Sequence, residues 1–186
     1  MLKEGEQALF ARTKQESVLI VKVSSFWAEA VSDGRKLLRI CLSYRKDDFQ
    51  NIYKLNFEEK KRLPPLLQRL KCDLIIYGSG SKVDFSCYPL QTEGYSSFTR
   101  RVWAEVREIP YGRFCSYKWI AQRLNNRGYR AIGKALSINP FPIIIPCHRV
   151  IREDGSLGGY SQGMRIKKEL LRIEGVLPLL PQAKMI

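Results

Sequence analysis

The residues of this sequence best placed to do chemistry are Cys147 and His148, which are adjacent and follow a run of three isoleucines at 143–145. His148 is the only histidine in the chain. A thiol becomes a strong nucleophile when it loses its proton, and a neighbouring imidazole or the amides of a turn can lower its pKa from about 8.5. The pair therefore predicts a cysteine nucleophile, and we expect the sulfur to be held as a thiolate at the floor of a pocket.

The base that would activate this thiol is less certain from the residues alone. Consecutive side chains of extended chain point apart, so a turn at Cys147 or a bridging water would be needed to join it to His148. Glu174 lies in the last turn of a predicted helix, where the helix dipole disfavours a carboxylate and a compensating partner is expected. That partner is either His148, in a Cys–His–Glu relay, or one of the nearby arginines.

The remaining cysteines have no such neighbours and are interpreted as small hydrophobic residues: Cys41, Cys72, Cys87 and Cys115. An odd number at wide spacings argues against a disulfide framework and favours a reducing compartment. One histidine cannot complete a Cys/His zinc set, so no metal site is expected. Cys147 could itself be a buried structural cysteine, but the polar pair that follows it is costly to bury without a purpose.

The charge of the 186-residue chain is strongly positive and unevenly distributed. The formal net charge is +14, of which residues 96–186 contribute +10 from 16 basic and 6 acidic residues. A lopsided basic excess attracts a polyanion, and nucleic acid is the first candidate. Glu4 and Glu6 stand where a secretion signal needs positive charge, and no apolar run reaches the roughly 18–20 residues of a membrane span. We therefore expect a soluble intracellular protein.

The first half of the sequence predicts a small α/β domain over residues 1–90. Residues 17–44 have the β-branched and apolar content of strands, with a turn at Asp33-Gly34. Residues 57–70 have helical spacing interrupted by two prolines, and residues 72–78 predict one more strand. The following Gly-, Ser- and Pro-rich residues predict a connection to a second domain over residues 91–186.

Helical spacing characterises the second half. One helix is predicted over residues 97–109 with Ser97 as its N-cap, and two shorter helices over 116–124 and 130–138, each stopping near a turn or a proline. Two short helices joined by a polar turn are a helix-turn-helix candidate. Residues 107–134 include seven basic residues and one acidic residue, which favours contact with DNA phosphates.

The active-site segment and its surroundings are predicted from their prolines and glycines. Residues 140–146 contain three prolines and predict a stiff, extended and buried approach to Cys147. Residues 149–155 predict a hairpin. The loop 158–163 contains three glycines and can approach a ligand closely. A last helix is predicted over 164–174, ending at a glycine.

Several short motifs of the second half occur together: NP at 139–140, PCHRV at 146–150, IPYG at 109–112, RAIG at 130–133, GYS at 159–161 and EG at 174–175. In this combination residues 94–175 closely resemble the alkylguanine-DNA alkyltransferases, also called methylated-DNA–protein-cysteine methyltransferases. The resemblance implies an α/β (α+β) fold. A variable N-terminal domain with a small β-sheet and a helix would be structural, and a mainly helical C-terminal domain would hold the helix-turn-helix and the cysteine.

The activity that the resemblance implies is DNA repair by direct, single-turnover transfer of an alkyl group from the O6 atom of guanine to Cys147 after base flipping. The enzyme would be a methylated-DNA–[protein]-cysteine S-methyltransferase that uses no cofactor and no metal. Its partner would be double-stranded DNA carrying O6-alkylguanine, bound through the minor groove by a monomer. Such a protein would act in the cytoplasm or nucleus, away from membranes.

Roles at the reacting centre follow from the resemblance position by position. Cys147 would accept the alkyl group, His148 would act as base through a water, and Glu174 would orient the imidazole. Asn139 would help to position the thiol at the hinge between the recognition helix and the active-site segment. Tyr117 would support rotation of the nucleotide and donate toward the departing guanine.

The resemblance also implies which residues contact DNA and the extruded base. Arg130 would fill the space that the base leaves, and Lys134 departs from the small residue of many relatives, so it could contact phosphate or restrict how closely its helix enters the groove. Further DNA contacts would be Tyr117, Ala131 and Ser116. The substrate pocket would be formed by Tyr160, Ser161, Val150 and Pro142.

Two functions of other classes compete with this interpretation. A helix-turn-helix regulator could use Cys147 as an alkylation or redox sensor, but residues 130–138 offer few side chains suited to reading base edges. A cysteine hydrolase is disfavoured because Cys147 and His148 are adjacent and the surrounding charge is strongly basic.

Overall fold

A computed structural model describes residues 16–52, 62–126 and 128–177. No helix in these ranges is both long and apolar enough to cross a membrane. The first part of the helix predicted over 57–70 falls outside the described residues. In chain order the elements are β1 (Ser17–Val23), β2 (Phe26–Ser32), β3 (Leu37–Ser43), α1 (Asp47–Ile52), α2 (Pro65–Gly78), α3 (Ser97–Arg107), β4 (Cys115–Ser116), α4 (Tyr117–Arg123), α5 (Tyr129–Ser137), β5 (Val150–Ile151) and α6 (Met164–Ile173).

Strands β1, β2 and β3 form an antiparallel sheet in that order, as the strand content of residues 17–44 predicts. Successive side chains of β1 point to opposite faces of the sheet. The apolar side chains of Leu19, Val21 and Val23 share the inner face and are buried. The predicted turn between β2 and β3 forms, and the Asp33 carboxylate accepts hydrogen bonds from the amides of Arg35 and Lys36, each at 2.7 Å.

Helix α2 corrects two predictions made from the sequence. Pro65 is the first residue of α2, where the missing amide proton of proline is not needed, so the two prolines start the helix instead of interrupting it. Residues 72–78 are the second half of this helix, and the prediction of a strand there is wrong. Its buried residues, Leu67, Leu70, Leu74 and Tyr77, follow the three- and four-residue spacing of a helical face.

The helices of the second half lie close to their predicted positions. The N-cap of α3 is Ser96, one residue before the predicted Ser97, and its hydroxyl accepts from the amide of Thr99 at 3.1 Å. Ser116 caps α4 as predicted. The indole of Trp103 on α3 donates to the carbonyl of Ala135 on α5 at 2.8 Å, which ties the helix pair to the core.

The segment that leads to the cysteine is buried but turned, so the expectation of extended chain is wrong. Ile143 has a φ of 75°, which is strained for a β-branched residue, and the amide of Ile145 donates to the carbonyl of Phe141 at 2.8 Å. A single 3-10 turn follows at Cys147–Arg149. The predicted hairpin forms only as a turn: the amide of Arg152 donates to the carbonyl of Ser156 at 2.8 Å around Asp154-Gly155, but the strand partner of β5 is β4, in parallel.

One hydrophobic core connects the sheet to the C-terminal helices. The outer strand β3 also bonds directly to the second half of the chain. The amide of Ile40 donates to the carbonyl of Pro140 at 2.7 Å, and the amide of Leu42 donates to the side chain of Gln162 at 3.0 Å. The sheet therefore supports both the segment before Cys147 and the loop before α6.

The burial pattern of α2 predicts opposite results for two neighbouring substitutions. Leu74 is fully buried, whereas Ile75 is 50% exposed. Leu74→Ala should lower the free energy of unfolding by about 2–5 kcal/mol because it leaves a cavity, and Ile75→Ala should change it by less than about 0.5 kcal/mol. Urea denaturation of both variants measures the difference. Equal losses would contradict this helical register.

Candidate active site

Cys147 lies at the base of a cavity of about 700 Å³ between α4, α5 and the loop around residues 158–161. That volume is within the range that accommodates small ligands. The cysteine is 6% exposed. Among the predicted site residues, four others line the cavity: Tyr117, Arg130, Tyr160 and Ser161.

Asn139 holds the sulfur and the turn before it together. Its side-chain amide donates to Cys147 Sγ at 3.1 Å and to the carbonyl of Ile145 at 2.9 Å. Its carbonyl oxygen accepts from the amide of Phe141 at 2.9 Å. Because Asn139 is buried and follows α5 directly, it connects the end of this helix to the cysteine.

The resting thiol is protonated, which corrects the expectation of a standing thiolate. Burial raises the pKa of Cys147, and the hydrogen bond from Asn139 and the positive charge of Lys167 offset that effect only in part. A thiolate therefore has to form during the reaction. A base must accept its proton at that moment.

Glu174 contacts both partners that the sequence left open. Its Oε1 lies 2.8 Å from Nε2 of His148, and both side chains are fully buried. Arg149 donates through two nitrogens, from Nε to Oε2 and from Nη2 to Oε1, each at 2.9 Å. The hydroxyl of Tyr77 at 2.9 Å and the amide of Gly112 at 3.3 Å complete the set of donors around the carboxylate.

These contacts fix the protonation states of the relay. Burial would raise the pKa of Glu174, but the hydrogen bonds from His148 and Arg149 and the positive charge of Arg149 outweigh it and hold that pKa below its ordinary value. Burial lowers the pKa of His148, and the neighbouring carboxylate only partly offsets this. Near neutral pH the carboxylate is therefore ionised and the imidazole is neutral.

The tautomer of His148 follows from the same network. An ionised carboxylate can only accept, so the proton of the neutral imidazole is on Nε2. Nδ1 is then a lone-pair acceptor, and this buried atom has no hydrogen-bond partner among the described residues. His148 is consequently arranged as a general base with one vacant nitrogen.

Lys167 is a buried cation that the sequence analysis missed. Its ammonium group donates to the carbonyls of Val150, at 2.7 Å, and Leu157, and burial lowers its pKa to about 8. The signal that could have identified it is its position on the buried face of α6, next to Ile166. Its positive charge favours the thiolate of Cys147 over the thiol.

Three predicted contacts need correction. Ser116 is 6% exposed and its hydroxyl caps α4, so little of it is left to contact DNA. Val150 is fully buried in β5, and Pro142 is buried within the turn before the cysteine. Neither lines the cavity. By contrast, Ala131 and Lys134 are exposed on α5, where a DNA contact is sterically possible.

The cavity mouth includes residues that the sequence analysis did not select. Tyr129 is half-exposed beside Arg130, and Lys118 forms an ion pair of 2.8 Å with Glu153 across the opening. An exposed aromatic residue at the first turn of a basic helix was the available signal. Within the described ranges, no three metal-binding side chains gather closely enough to hold a metal ion.

The profile of a family described as 6-O-methylguanine DNA methyltransferase, DNA binding domain, matches residues 97–176. A methylated-DNA–protein-cysteine methyltransferase of Methanocaldococcus vulcanius is 34% identical over 85% of this chain and 97% of its own length. One of Methanothermobacter thermautotrophicus is 43% identical, over 61% of this chain and 64% of its own length.

Solved structures show the same fold. The O6-methylguanine-DNA methyltransferase of Pyrococcus kodakaraensis superposes with a TM-score of 0.69 at 26% identity, covering 87% of this chain and 99% of that one. A Mycobacterium tuberculosis protein crystallised in complex with DNA gives a TM-score of 0.66 at 28% identity, covering 86% and 91% of the two chains.

The contact between Asn139 and the sulfur predicts a change in thiol reactivity. Asn139→Ala removes a donor that lowers the pKa of Cys147, so iodoacetamide should modify this cysteine at least about tenfold more slowly at a pH near 8. Peptide mapping by mass spectrometry measures the rate. The exposed Cys72 and Cys87 of the same molecules are internal controls. If the modification rate of Cys147 relative to these controls is unchanged, in protein that circular dichroism shows to be folded, Asn139 does not lower the pKa of the thiol.

Proposed function

Because the chain belongs to the methylated-DNA–protein-cysteine methyltransferases, we propose that it repairs DNA by moving the alkyl group of O6-alkylguanine onto Cys147. The observation that carries this proposal is the position of the thiol. It lies in a cavity of about 700 Å³, large enough to admit an extruded base, beside the helix-turn-helix, and the neighbouring histidine is held by an ionised carboxylate.

The first step is extrusion of the damaged base. A guanine stacked within a duplex cannot reach a thiol at the floor of a cavity, so the nucleotide must rotate out, at a cost of a few kcal/mol. Arg130 is exposed in the first turn of α5 and lines the cavity. Its guanidinium can occupy the vacated position in the stack and lower that cost.

The second step is transfer of the alkyl group. The thiol proton passes through a water to Nδ1 of His148, and Glu174 stabilises the imidazolium that forms. The sulfur attacks the alkyl carbon, the S–C bond forms and the C–O6 bond breaks. The electron pair of that bond goes to guanine, which takes up a proton through the hydroxyl of Tyr117, and the proton held by the imidazolium restores that hydroxyl, so that the proton lost by the thiol ends on guanine. Burial raises the pKa of Tyr117, so its hydroxyl remains a donor on the cavity wall for the departing base.

The product explains why one molecule acts once. The sulfur ends as a thioether, which has no ready route back to the thiol, and no cofactor takes part in the reaction. Tyr160 supports the binding of the base from the cavity wall, where its buried hydroxyl lies close to the thiol and helps to lower the pKa of Cys147. Ser161 lies beside it at the same wall.

The DNA surface is proposed to be the exposed face of α5. Ala131 is small and allows close approach to a minor groove, and Lys134 can contact a phosphate at its edge. We assign binding and transfer to residues 91–186 and a supporting role to residues 1–90. The protein would act as a monomer wherever the cell keeps its DNA, in cytoplasm or nucleus.

The regulator with a sensing cysteine is the weaker proposal. The exposed side chains of α5 include few that read base edges, and the relatives that match this chain are named as methyltransferases.

Alkyl transfer to a single cysteine is tested by mass spectrometry. After incubation with an oligonucleotide duplex containing O6-methylguanine, one methyl group should replace the thiol proton of Cys147. Cys147→Ala should gain no mass while it still binds DNA. Cys72 and Cys87 should stay unmodified, since they are exposed but lack the cavity. A protein that gains no methyl group, or gains it elsewhere, would contradict the proposed function.

Arg130→Ala tests the extrusion step separately from the chemistry. Stacking against a side chain contributes roughly 1–3 kcal/mol, so the rate with a damaged duplex should fall by about tenfold or more. The rate with free O6-benzylguanine should hardly change, because no stack has to be opened. Arg101→Ala, an equal loss of charge on the exposed side of α3, is the control. Equal losses on both substrates would refute the role assigned to Arg130.

A further inference from the structure

Tyr77, in the first half of the chain, contacts the carboxylate of the Cys147–His148–Glu174 relay. It lies near the C-terminal end of α2 and is fully buried. Its hydroxyl donates to Glu174 Oε1 at 2.9 Å. The same oxygen accepts from Nε2 of His148 at 2.8 Å and from Nη2 of Arg149 at 2.9 Å. Three donors from two halves of the chain therefore converge on one oxygen atom.

The ring of Tyr77 is held in place by other aromatic rings. It packs edge-on against Phe85 at 5.8 Å and against Tyr111 at 6.1 Å between ring centroids. Burial raises the pKa of Tyr77 well above its ordinary value, and the charge of Glu174 adds to this. The hydroxyl is therefore protonated near neutral pH and acts as a donor there.

We propose that Tyr77 is a positioning residue for the alkyl transfer, which holds the Glu174 carboxylate in the orientation that keeps His148 ready to accept a proton. The inference rests on the proposed function. Arg149 alone would pull the carboxylate toward its own two nitrogens. The hydroxyl of Tyr77 fixes Oε1 from a third direction, so that Oε1 stays aligned with Nε2 of His148.

The hydroxyl also limits how basic His148 becomes. A hydrogen bond to the carboxylate spreads its negative charge, and less of that charge then acts on the imidazole. The other charged and titratable groups around the pair are Arg149 on the 3-10 turn, Lys167 on α6, Cys147, and the hydroxyls of Tyr111 and Tyr160. Among the described residues, only Tyr77 brings a neutral hydroxyl within hydrogen-bonding distance of the carboxylate.

The inference means that the active site is incomplete without α2. The family profile that matches this chain covers residues 97–176 and does not include Tyr77. The variable first half would thus supply one side chain to the reacting machinery, in addition to packing against it.

Tyr77→Phe tests the proposal because it keeps the ring and removes only the hydroxyl. The measurement is the rate of transfer from free O6-benzylguanine to Cys147 as a function of pH. In the wild-type protein this rate should fall on the acid side as His148 becomes protonated. In Tyr77→Phe the carboxylate acts more strongly on the imidazole and raises its pKa, so the midpoint of that fall should move to higher pH by about one unit.

Tyr111→Phe is the matched control. Its hydroxyl donates to the carbonyls of Gly80, at 2.7 Å, and Ile173, at 3.0 Å, so it joins the same two parts of the chain without bonding to the carboxylate. This variant should lose stability and keep the wild-type midpoint. Both variants are compared at a temperature at which circular dichroism shows them folded.

The outcomes separate this inference from the proposed function. A wild-type protein that transfers nothing contradicts the proposed function itself. The inference is overturned if the wild-type protein transfers the benzyl group and Tyr77→Phe keeps the wild-type midpoint, as Tyr111→Phe is expected to do. Tyr77 would then have a purely structural role. A wild-type rate with no fall on the acid side would also overturn it, because His148 would then not be the base.

Discussion

The structure depends on one ionised carboxylate that is buried behind the reactive thiol. Taking a charge out of water costs several kcal/mol, and the cost is recovered only when the charge is fully paired and hydrogen-bonded. Glu174 meets that condition through donors from four residues, which lie on α2, in the turn before β4 and in the 3-10 turn that begins at Cys147. Because α6 ends at this residue, its unfavourable position at the C-terminal end of the helix is compensated by the guanidinium of Arg149.

This arrangement sets the reactivity of the thiol. Burial favours the neutral forms of both Cys147 and His148, so the resting pair is a thiol and an imidazole and not an ion pair. A protonated, nearly buried thiol reacts slowly with soluble electrophiles. That property suits a protein whose reactive cysteine is proposed to be used only once. In the proposed reaction, the vacant nitrogen of His148 and the positive charge of Lys167 would favour loss of the proton once a base occupies the cavity.

Short sequence patterns predicted the features of the structure that depend on interactions between residues close together in the chain. Ser116 and the residues before Pro140 bound the helix pair because caps and prolines act over a few residues. Tyr160 could be assigned to the pocket, and Tyr117 and Arg130 to the rotated nucleotide, because the motifs that resemble the family include them, and all three line the cavity. Residues 72–78 were mistaken for a strand because a short apolar run fits a buried strand and a buried helix equally well.

Other features depend on contacts between distant residues, and no local pattern predicts them. Tyr77 and Glu174 are 97 residues apart, and nothing near Tyr77 indicates that its hydroxyl has a catalytic neighbour. Ile143 adopts a left-handed backbone conformation, which the sequence does not indicate because the residue is an isoleucine and not a glycine. The pKa of Cys147 was predicted from its neighbour in sequence, but the surrounding core raises it by excluding water.

The state of His148 is the most direct test of the relay, and the chain has only this one histidine. A nitrogen NMR spectrum of protein labelled with ¹⁵N at histidine therefore shows one imidazole. At neutral pH it should show one protonated nitrogen, assigned to Nε2, and one unprotonated nitrogen, assigned to Nδ1. Two protonated nitrogens, or a proton on Nδ1, would contradict the conclusion that Glu174 holds a neutral imidazole ready to take the proton of Cys147.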